Sequence, residues 1–265
     1  MALSVTELGT HATSSAAVKS KPEYGISSGV AWFVLAAAAL VTIFIAYRIY
    51  LELYGFSAGL DATSPEFQST WMRLLYIQLP IIALAEIACW TYLIVTRDRN
   101  LASITPEVEL KRMFYVTLWL VAYTVAVFPV GFWTEADATW HQLTMRDTAF
   151  TPTHVSLFYG MVPLYLFFGV GAFIYAMTRT PVFAKGISFM FLLAVIGPFL
   201  ILPNIGFNEW GHAFWLTEEV FSHPLHWGFV VLGVSGLALA GVAAQVAMRL
   251  LELFPIVFKD DKVQA

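Results

Sequence analysis

The sequence predicts an all-α polytopic membrane protein, a helical bundle with about six transmembrane helices. Hydrophobic residues make up 59% of the 265 positions and charged residues only 12%, whereas a water-soluble domain carries about 25% charged residues. The mean hydropathy is +0.73, and the charged residues cluster between long apolar stretches, as segments that cross a bilayer require.

The net charge is −4 and Cys89 is the single cysteine. We therefore expect no nucleic-acid partner, internal disulfide or cysteine-rich zinc site.

Six stretches of about 20 residues have the length and composition that a membrane-spanning helix needs. Ser-Pro and Thr-Pro pairs mark predicted helix starts, because the hydroxyl can cap the helix and proline fits its first turn. These pairs are Ser64-Pro65, Thr105-Pro106, Thr151-Pro152 and Thr180-Pro181. The predicted spans are Gly29–Tyr47, Leu74–Val95, Met113–Trp133, Val155–Met177, Ile187–Gly206 and Trp227–Met248.

The spans divide the chain into three parts. Residues 1–28 form a polar N-terminal segment without the apolar stretch of a signal peptide, residues 29–248 form the transmembrane domain, and residues 249–265 form a cytoplasmic C-terminal tail. Of the 14 Lys and Arg residues, loops one, three and five hold only Arg48, Arg73 and Arg146. By the positive-inside rule, both termini are cytoplasmic, and loops three (134–154) and five (207–226) face outward.

Five of the six histidines lie in loops three and five or at the helix starts that follow them. In loop three, Asp137 and His141 are four residues apart, and His154 follows thirteen residues later. Residues i and i+4 share one face of a helical segment. On such a segment the carboxylate and the imidazole would point to the same place, and His154 would approach it from the start of the next span.

Loop five repeats this pattern. Asn208 and His212 are four residues apart and His226 follows fourteen residues later, while His223 is left outside the predicted set. Each loop offers one oxygen and two nitrogen ligands, which suit copper, zinc or iron and leave positions open for water or substrate. The alternative is that these side chains only form hydrogen bonds at the membrane surface. The parallel between the loops favours two metal sites, of which the one with the amide ligand binds more weakly.

Two other classes of function compete with a metal enzyme. Paired histidines could ligate a b-type haem. This alternative is weakened because His141 and His212 are predicted to lie in loops, whereas haem ligands would face each other at mid-membrane depth. A transporter usually carries several ionisable groups inside its spans, whereas Glu86 is the only one there. Glu86 fits a proton relay and a structural pairing inside the bundle equally well.

Five stretches between Gly59 and Leu250 carry a family resemblance: Thr96–Arg99, Thr134–His154, Phe183–Ser188, Gly197–Asn204 and Gly206–Trp215. Through them the sequence resembles the C subunit of the copper-dependent membrane monooxygenases. This family includes particulate methane monooxygenase, ammonia monooxygenase and short-alkane monooxygenases. The chain departs from the usual residues of the family near the predicted ligands, at Trp133, Ala136, Ala149 and Thr153. These departures spare the ligands and leave the substrate open.

The resemblance implies two copper sites, one formed by Asp137, His141 and His154 and the other by Asn208, His212 and His226. It also implies that the chain is the C subunit of a complex that hydroxylates methane, a short alkane or ammonia with dioxygen. The implied partners are A and B subunits in a trimer of heterotrimers, membrane lipids, and quinol or another reductant. The implied location is a bacterial cytoplasmic or intracytoplasmic membrane. Which metal site is catalytic does not follow from the sequence.

Overall fold

A computed structural model of the chain describes residues 28–144, 150–197 and 227–259. These residues form helices joined by short turns and contain no strand, and five of the helices are long and apolar enough to cross a membrane. The predicted all-α membrane bundle is therefore confirmed, and the chain is a multi-pass membrane protein. The cytoplasmic location of both termini stays a prediction.

The described residues form seven α-helices. In chain order they are α1 (Ser28–Ala58), α2 (Pro65–Val95), α3 (Pro106–Thr144), α4 (Pro152–Arg179), α5 (Pro181–Ala184), α6 (Phe189–Ile196) and α7 (Trp227–Val257). The five long helices α1, α2, α3, α4 and α7 contain the candidate membrane spans. Helix α6 begins the fifth predicted span, Ile187–Gly206, whose remainder lies outside the described residues.

The Ser-Pro and Thr-Pro pairs stand at helix starts, as predicted. Ser64 Oγ accepts a hydrogen bond from the N–H of Phe67 at 3.1 Å and so caps α2. Helix α3 begins at Pro106 and α5 at Pro181. Thr180 departs from the expected capping role, because its hydroxyl donates to the carbonyl of Ala176 at 2.8 Å. Its side chain thus closes the end of α4 and does not cap α5.

The prediction that Thr134–His154 is a loop was wrong for its first half, because α3 continues to Thr144. Two threonines in this segment pair their hydroxyls with carbonyls of the preceding turn: Thr134 with Val130 at 2.8 Å and Thr139 with Glu135 at 3.0 Å. The segment also contains no Gly or Pro between residues 134 and 144. Polar composition marks where the helix leaves the apolar span, not where the helix ends. Helix α1 likewise extends past its predicted end, to Ala58.

Helix α3 packs against α1, α4 and α7. Its close approach to α4 depends on two glycines of α4. A Cβ on Gly169 would lie 2.9 Å from the ring of Tyr123, and a Cβ on Gly171 would lie 2.6 Å from the ring of Trp119. Small residues at such contacts let transmembrane helices approach closely, and here they admit large aromatic rings from the neighbouring helix.

Helices α2 and α4 pack side by side and run in the same direction. The amide Nε2 of Gln78 donates to the carbonyl of Val155 at 2.8 Å. Twelve residues further along both helices, the indole Nε1 of Trp90 donates to the carbonyl of Phe167 at 3.3 Å. Two side-chain donors of α2 thus fix the register of α2 against α4.

The Thr96–Arg99 stretch, one of those that carry the resemblance, joins α2 to the end of α4. Arg179 donates to the carbonyl of Leu93 at 3.0 Å and to the hydroxyl of Thr96 at 2.6 Å, so that it caps the C-terminus of α2 from another helix. Asp98 pairs with Arg112 of α3 at 2.5 Å. This stretch therefore has a structural role in holding three helices together.

An ion pair joins the start of α3 to the end of α7. Arg249 donates from Nε and Nη2 to the two carboxylate oxygens of Glu109, each at 2.8 Å, and Glu109 is buried. We expect Arg249→Ala to lower the free energy of unfolding by about 2 kcal/mol or more, because it leaves a buried carboxylate without its partner. Thermal unfolding of the protein in nanodiscs would measure this change.

Arg48→Ala is the matched control for this prediction. Arg48 pairs with Glu52 at 2.9 Å, but both side chains are exposed, and exposed ion pairs contribute about 0–1 kcal/mol. An equal loss of stability in the two variants would contradict a special role for the pair between Arg249 and Glu109.

Candidate metal centre

The last three turns of α3 hold two of the predicted ligands. Asp137 and His141 lie on the same face of this helix because they are four residues apart. Both are buried, although they belong to a segment rich in polar residues. Trp133, one further turn before Asp137, is completely buried and lies under the same face.

His154 reaches the same place from the first turn of α4. Thr151 caps this helix, its Oγ1 accepting a hydrogen bond from the N–H of His154 at 2.9 Å. Pro152 occupies the first helical position, where its missing N–H costs nothing. The Thr151-Pro152 pair therefore sets where α4 begins, and with it the position of the imidazole of His154.

The three side chains meet in one buried cluster. The Nε2 atoms of His141 and His154 are 3.1 Å apart, and they lie 3.5 Å and 3.3 Å, respectively, from Oδ1 of Asp137. One ligand atom from each residue lies within 4.8 Å of the other two. Within the described part of the chain, no other group of three His, Cys, Asp or Glu side chains comes together in this way.

These separations fit three ligands of one metal ion. Nitrogen and oxygen atoms bonded to a metal at about 2.0–2.1 Å lie about 3.3 Å from each other when the angles are tetrahedral. The distances of 3.1, 3.3 and 3.5 Å cluster around this value. The three atoms would occupy one side of the ion and leave its other positions open.

The hydrogen bonding of Asp137 also fits a cation. Both carboxylate oxygens are buried, and neither has a hydrogen-bond partner among the residues that the structure describes. The Nε2 atoms of His154 and His141 lie at ion-pair distance from Oδ1, at 3.3 Å and 3.5 Å. Because a buried carboxylate is costly without compensation, a cation bound between the three side chains would stabilise the cluster. Two imidazoles and one carboxylate suit copper, zinc or iron.

A family model that describes the C subunit of ammonia monooxygenase and methane monooxygenase matches residues 11–257. The chain belongs to this family. A comparison with curated proteins finds no match. The chain is therefore the C subunit of a membrane monooxygenase and works as part of an oxidoreductase complex with other subunits. The match covers all three residues of the cluster as well as Asn208, His212 and His226.

The second predicted set, Asn208, His212 and His226, lies outside the described residues, as does His223. Its assignment as a metal site in this C subunit stays a prediction. The two sets therefore differ in support: the first has a geometry in the structure, and the second has the sequence pattern and the resemblance.

The surroundings of the cluster are aromatic. The ring of Phe158 packs edge-on against His154, with ring centroids 5.0 Å apart. Trp133 and Trp140 are both buried, and Trp140 packs against Phe56. These two tryptophans are therefore enclosed by the bundle. The cluster of Asp137, His141 and His154 is therefore buried among aromatic side chains of α1, α3 and α4.

The geometry of His141 and His154 disfavours a haem held between these two histidines, whereas His212, the other histidine named for the haem alternative, lies outside the described residues. Axial imidazoles on opposite sides of one metal ion would hold their nitrogen atoms about 4 Å apart, twice a metal–nitrogen bond. The Nε2 atoms of His141 and His154 are 3.1 Å apart, and Asp137 lies beside both. No porphyrin plane fits between them.

Two further residues near the centre, Gln78 and Tyr47, escaped the sequence reasoning. Gln78 donates to the carbonyl of Val155, next to His154, and accepts a hydrogen bond from the hydroxyl of Tyr47. The signal that could have found Gln78 is an isolated amide inside an apolar span, where a polar side chain needs a partner.

Glu86, the single ionisable residue inside a predicted span, is half-buried in α2. Its Oε1 is buried and has no hydrogen-bond partner among the described residues. A structural pairing inside the bundle is thus not seen in the described part of the chain. The interpretation of Glu86 as a proton relay stays untested.

Proposed function

We propose that the chain is the C subunit of a membrane-bound copper monooxygenase that hydroxylates methane, a short alkane or ammonia with dioxygen. The observation that carries this proposal is the buried cluster of Asp137, His141 and His154. Its ligand atoms have metal-ligand spacing, and the carboxylate oxygens have no hydrogen-bond partner among the described residues. Its support is twofold, because the cluster lies in a chain of a monooxygenase family and its donor set accepts copper.

The side chains of the cluster have separate roles in this proposal. His141 and His154 would hold copper through Nε2, and Asp137 would hold it through an oxygen and offset part of its charge. Bound copper would supply the redox chemistry that activates dioxygen. Phe158 and Trp133 exclude water from the cluster, which suits a small substrate that offers few groups for hydrogen bonding.

The second copper site, formed by Asn208, His212 and His226, is proposed from the sequence pattern and the family resemblance. A neutral amide attracts a divalent cation less strongly than a carboxylate does. We therefore propose that this site loses copper more readily than the site with Asp137.

Oxygen insertion needs electrons and protons from outside the cluster. The partners that we propose are A and B subunits in a trimer of heterotrimers, with quinol or another reductant as electron source, in a bacterial cytoplasmic or intracytoplasmic membrane. Among the described residues, the three-residue cluster is the only candidate metal group. A second redox centre would come from the proposed site at Asn208, His212 and His226 or from the other subunits.

The experiment that tests this function compares the purified complex with the chain expressed alone in membranes. Oxygen-dependent hydroxylation of methane, butane and ammonia is measured together with copper content. We expect hydroxylation only in the complex, because this chain alone lacks the source of electrons, and the favoured product identifies the substrate. Activity from the isolated chain would contradict the partner requirement. A fully active complex without copper would contradict the copper function.

A further inference from the structure

We propose that Tyr47 and Gln78 are positioning residues that fix the two halves of the metal centre relative to each other. One half consists of Asp137 and His141 on α3, and the other is His154 on α4. The inference rests on the proposed copper site, and it assigns to α1 and α2 a function beyond membrane anchoring.

Gln78 uses both ends of its amide inside the bundle. Its Nε2 donates to the carbonyl of Val155 at 2.8 Å, and its Oε1 accepts a hydrogen bond from the hydroxyl of Tyr47. Both side chains are buried. Because Val155 follows His154 directly, the chain of hydrogen bonds from α1 through α2 ends at the backbone that carries the imidazole.

The backbone at this point of α4 departs from a regular helix. Leu157–Met161 forms a π-helical turn, in which the N–H of Val162 donates to the carbonyl of Leu157, five residues earlier. Such a turn shifts the hydrogen-bond ladder by one residue and is often found at functional sites. The side-chain donor from α2 binds the carbonyl of Val155, two residues before this turn, and so restrains the backbone between His154 and the turn.

Tyr47 also contacts the other half of the centre. Its ring packs edge-on against Trp133, with ring centroids 6.4 Å apart, and Trp133 lies one turn before Asp137 on α3. On the α4 side, a Cβ on Gly160 would lie 3.0 Å from the hydroxyl of Tyr47. Gly160 therefore makes room for the hydroxyl, and Tyr47 is in contact with both helices that supply the ligands.

Tyr47 and Gln78 would matter because metal affinity depends on the exact distances between the ligand atoms. The ligand atoms of Asp137, His141 and His154 come from two helices and lie 3.1–3.5 Å apart. A shift of a few tenths of an ångström between α3 and α4 would change the distances from His154 to the other two ligands. Groups that hold the ligands in place without touching the metal typically account for about 10–100-fold in metal affinity.

The test uses the assembled complex with Tyr47→Phe and Gln78→Leu. Tyr47→Phe removes a single oxygen atom and leaves the contact with Trp133 intact. Copper affinity is measured by competition with a chelator, and the Cu(II) electron paramagnetic resonance spectrum is recorded after subtraction of the spectrum of His154→Ala. We expect about 10–100-fold weaker copper retention and altered hyperfine coupling in both variants.

Trp90→Phe is the matched control, because it removes another hydrogen bond between α2 and α4, from Trp90 Nε1 to Phe167, away from the centre. We expect it to lower thermal stability and to leave the copper spectrum unchanged. An unchanged spectrum and affinity in Tyr47→Phe and Gln78→Leu would overturn the inference. Equal changes in Trp90→Phe would also overturn it, since they would trace the effect to general bundle stability.

The same measurements separate this inference from the proposed function. If His154→Ala removes a copper signal that Tyr47→Phe and Gln78→Leu leave intact, the positioning role fails and the copper site stands. If His154→Ala removes no signal, the copper site itself fails, and the positioning role falls with it.

Discussion

His154→Ala in the assembled complex is expected to lose the copper held by the cluster and to lower hydroxylation more than about 100-fold. Even groups that only support metal ligands change affinity or activity about 10–100-fold, and His154 supplies one of three ligand atoms in a buried site. His141→Ala is expected to behave in the same way. Copper analysis and product formation from the same preparations measure both effects.

A double variant that combines His141→Ala with His154→Ala tests whether the two histidines serve one site. Ligands of one ion act as a unit, so that the second substitution should add little once the first has emptied the site. Thr139→Ala is the control, because Thr139 is exposed on the same helix and its hydroxyl bonds to the carbonyl of Glu135. Two additive, partial losses of activity would show that the histidines serve separate functions.

The clustering of Asp137, His141 and His154 was predictable because its information is local. The four-residue spacing of Asp137 and His141 places them on one helical face, and the Thr151-Pro152 pair places His154 in the first turn of α4. The extent of α3 was not predictable in the same way. Polarity ended the predicted span at Trp133, whereas the backbone remains helical to Thr144.

The supporting contacts were less accessible to sequence reasoning because they join residues far apart in the chain. Tyr47 and Gln78 are 31 residues apart, and Gln78 and Val155 are 77 residues apart. Their meeting depends on the parallel packing of α2 and α4 and on a π-helical turn, neither of which has a short sequence signature. The amide in an apolar span indicated that Gln78 needs a partner, but only the packed bundle identifies Tyr47 and Val155 as its partners.

Removal of copper by a chelator is expected to destabilise the parent complex more than a complex with Asp137→Asn. Without an ion, Asp137 is a buried carboxylate whose oxygens have no hydrogen-bond partner among the described residues, which is costly in a medium of low dielectric constant. A ligand present at 1,000 times its dissociation constant stabilises the folded state by about 4 kcal/mol. Asparagine carries no charge, so the variant gains less from copper and loses less on its removal.

The measurement is the midpoint of thermal unfolding, followed by the loss of helical circular dichroism, with copper and with chelator. The decrease on chelation should be larger in the parent than in Asp137→Asn, and copper affinity should be lower in the variant. Glu135→Gln is the control, because it removes the same charge from an exposed position two residues before Asp137; its response should match that of the parent. If chelation lowered the midpoint equally in the parent and in Asp137→Asn, Asp137 would not be a ligand, because the binding free energy of the ion would not depend on its carboxylate.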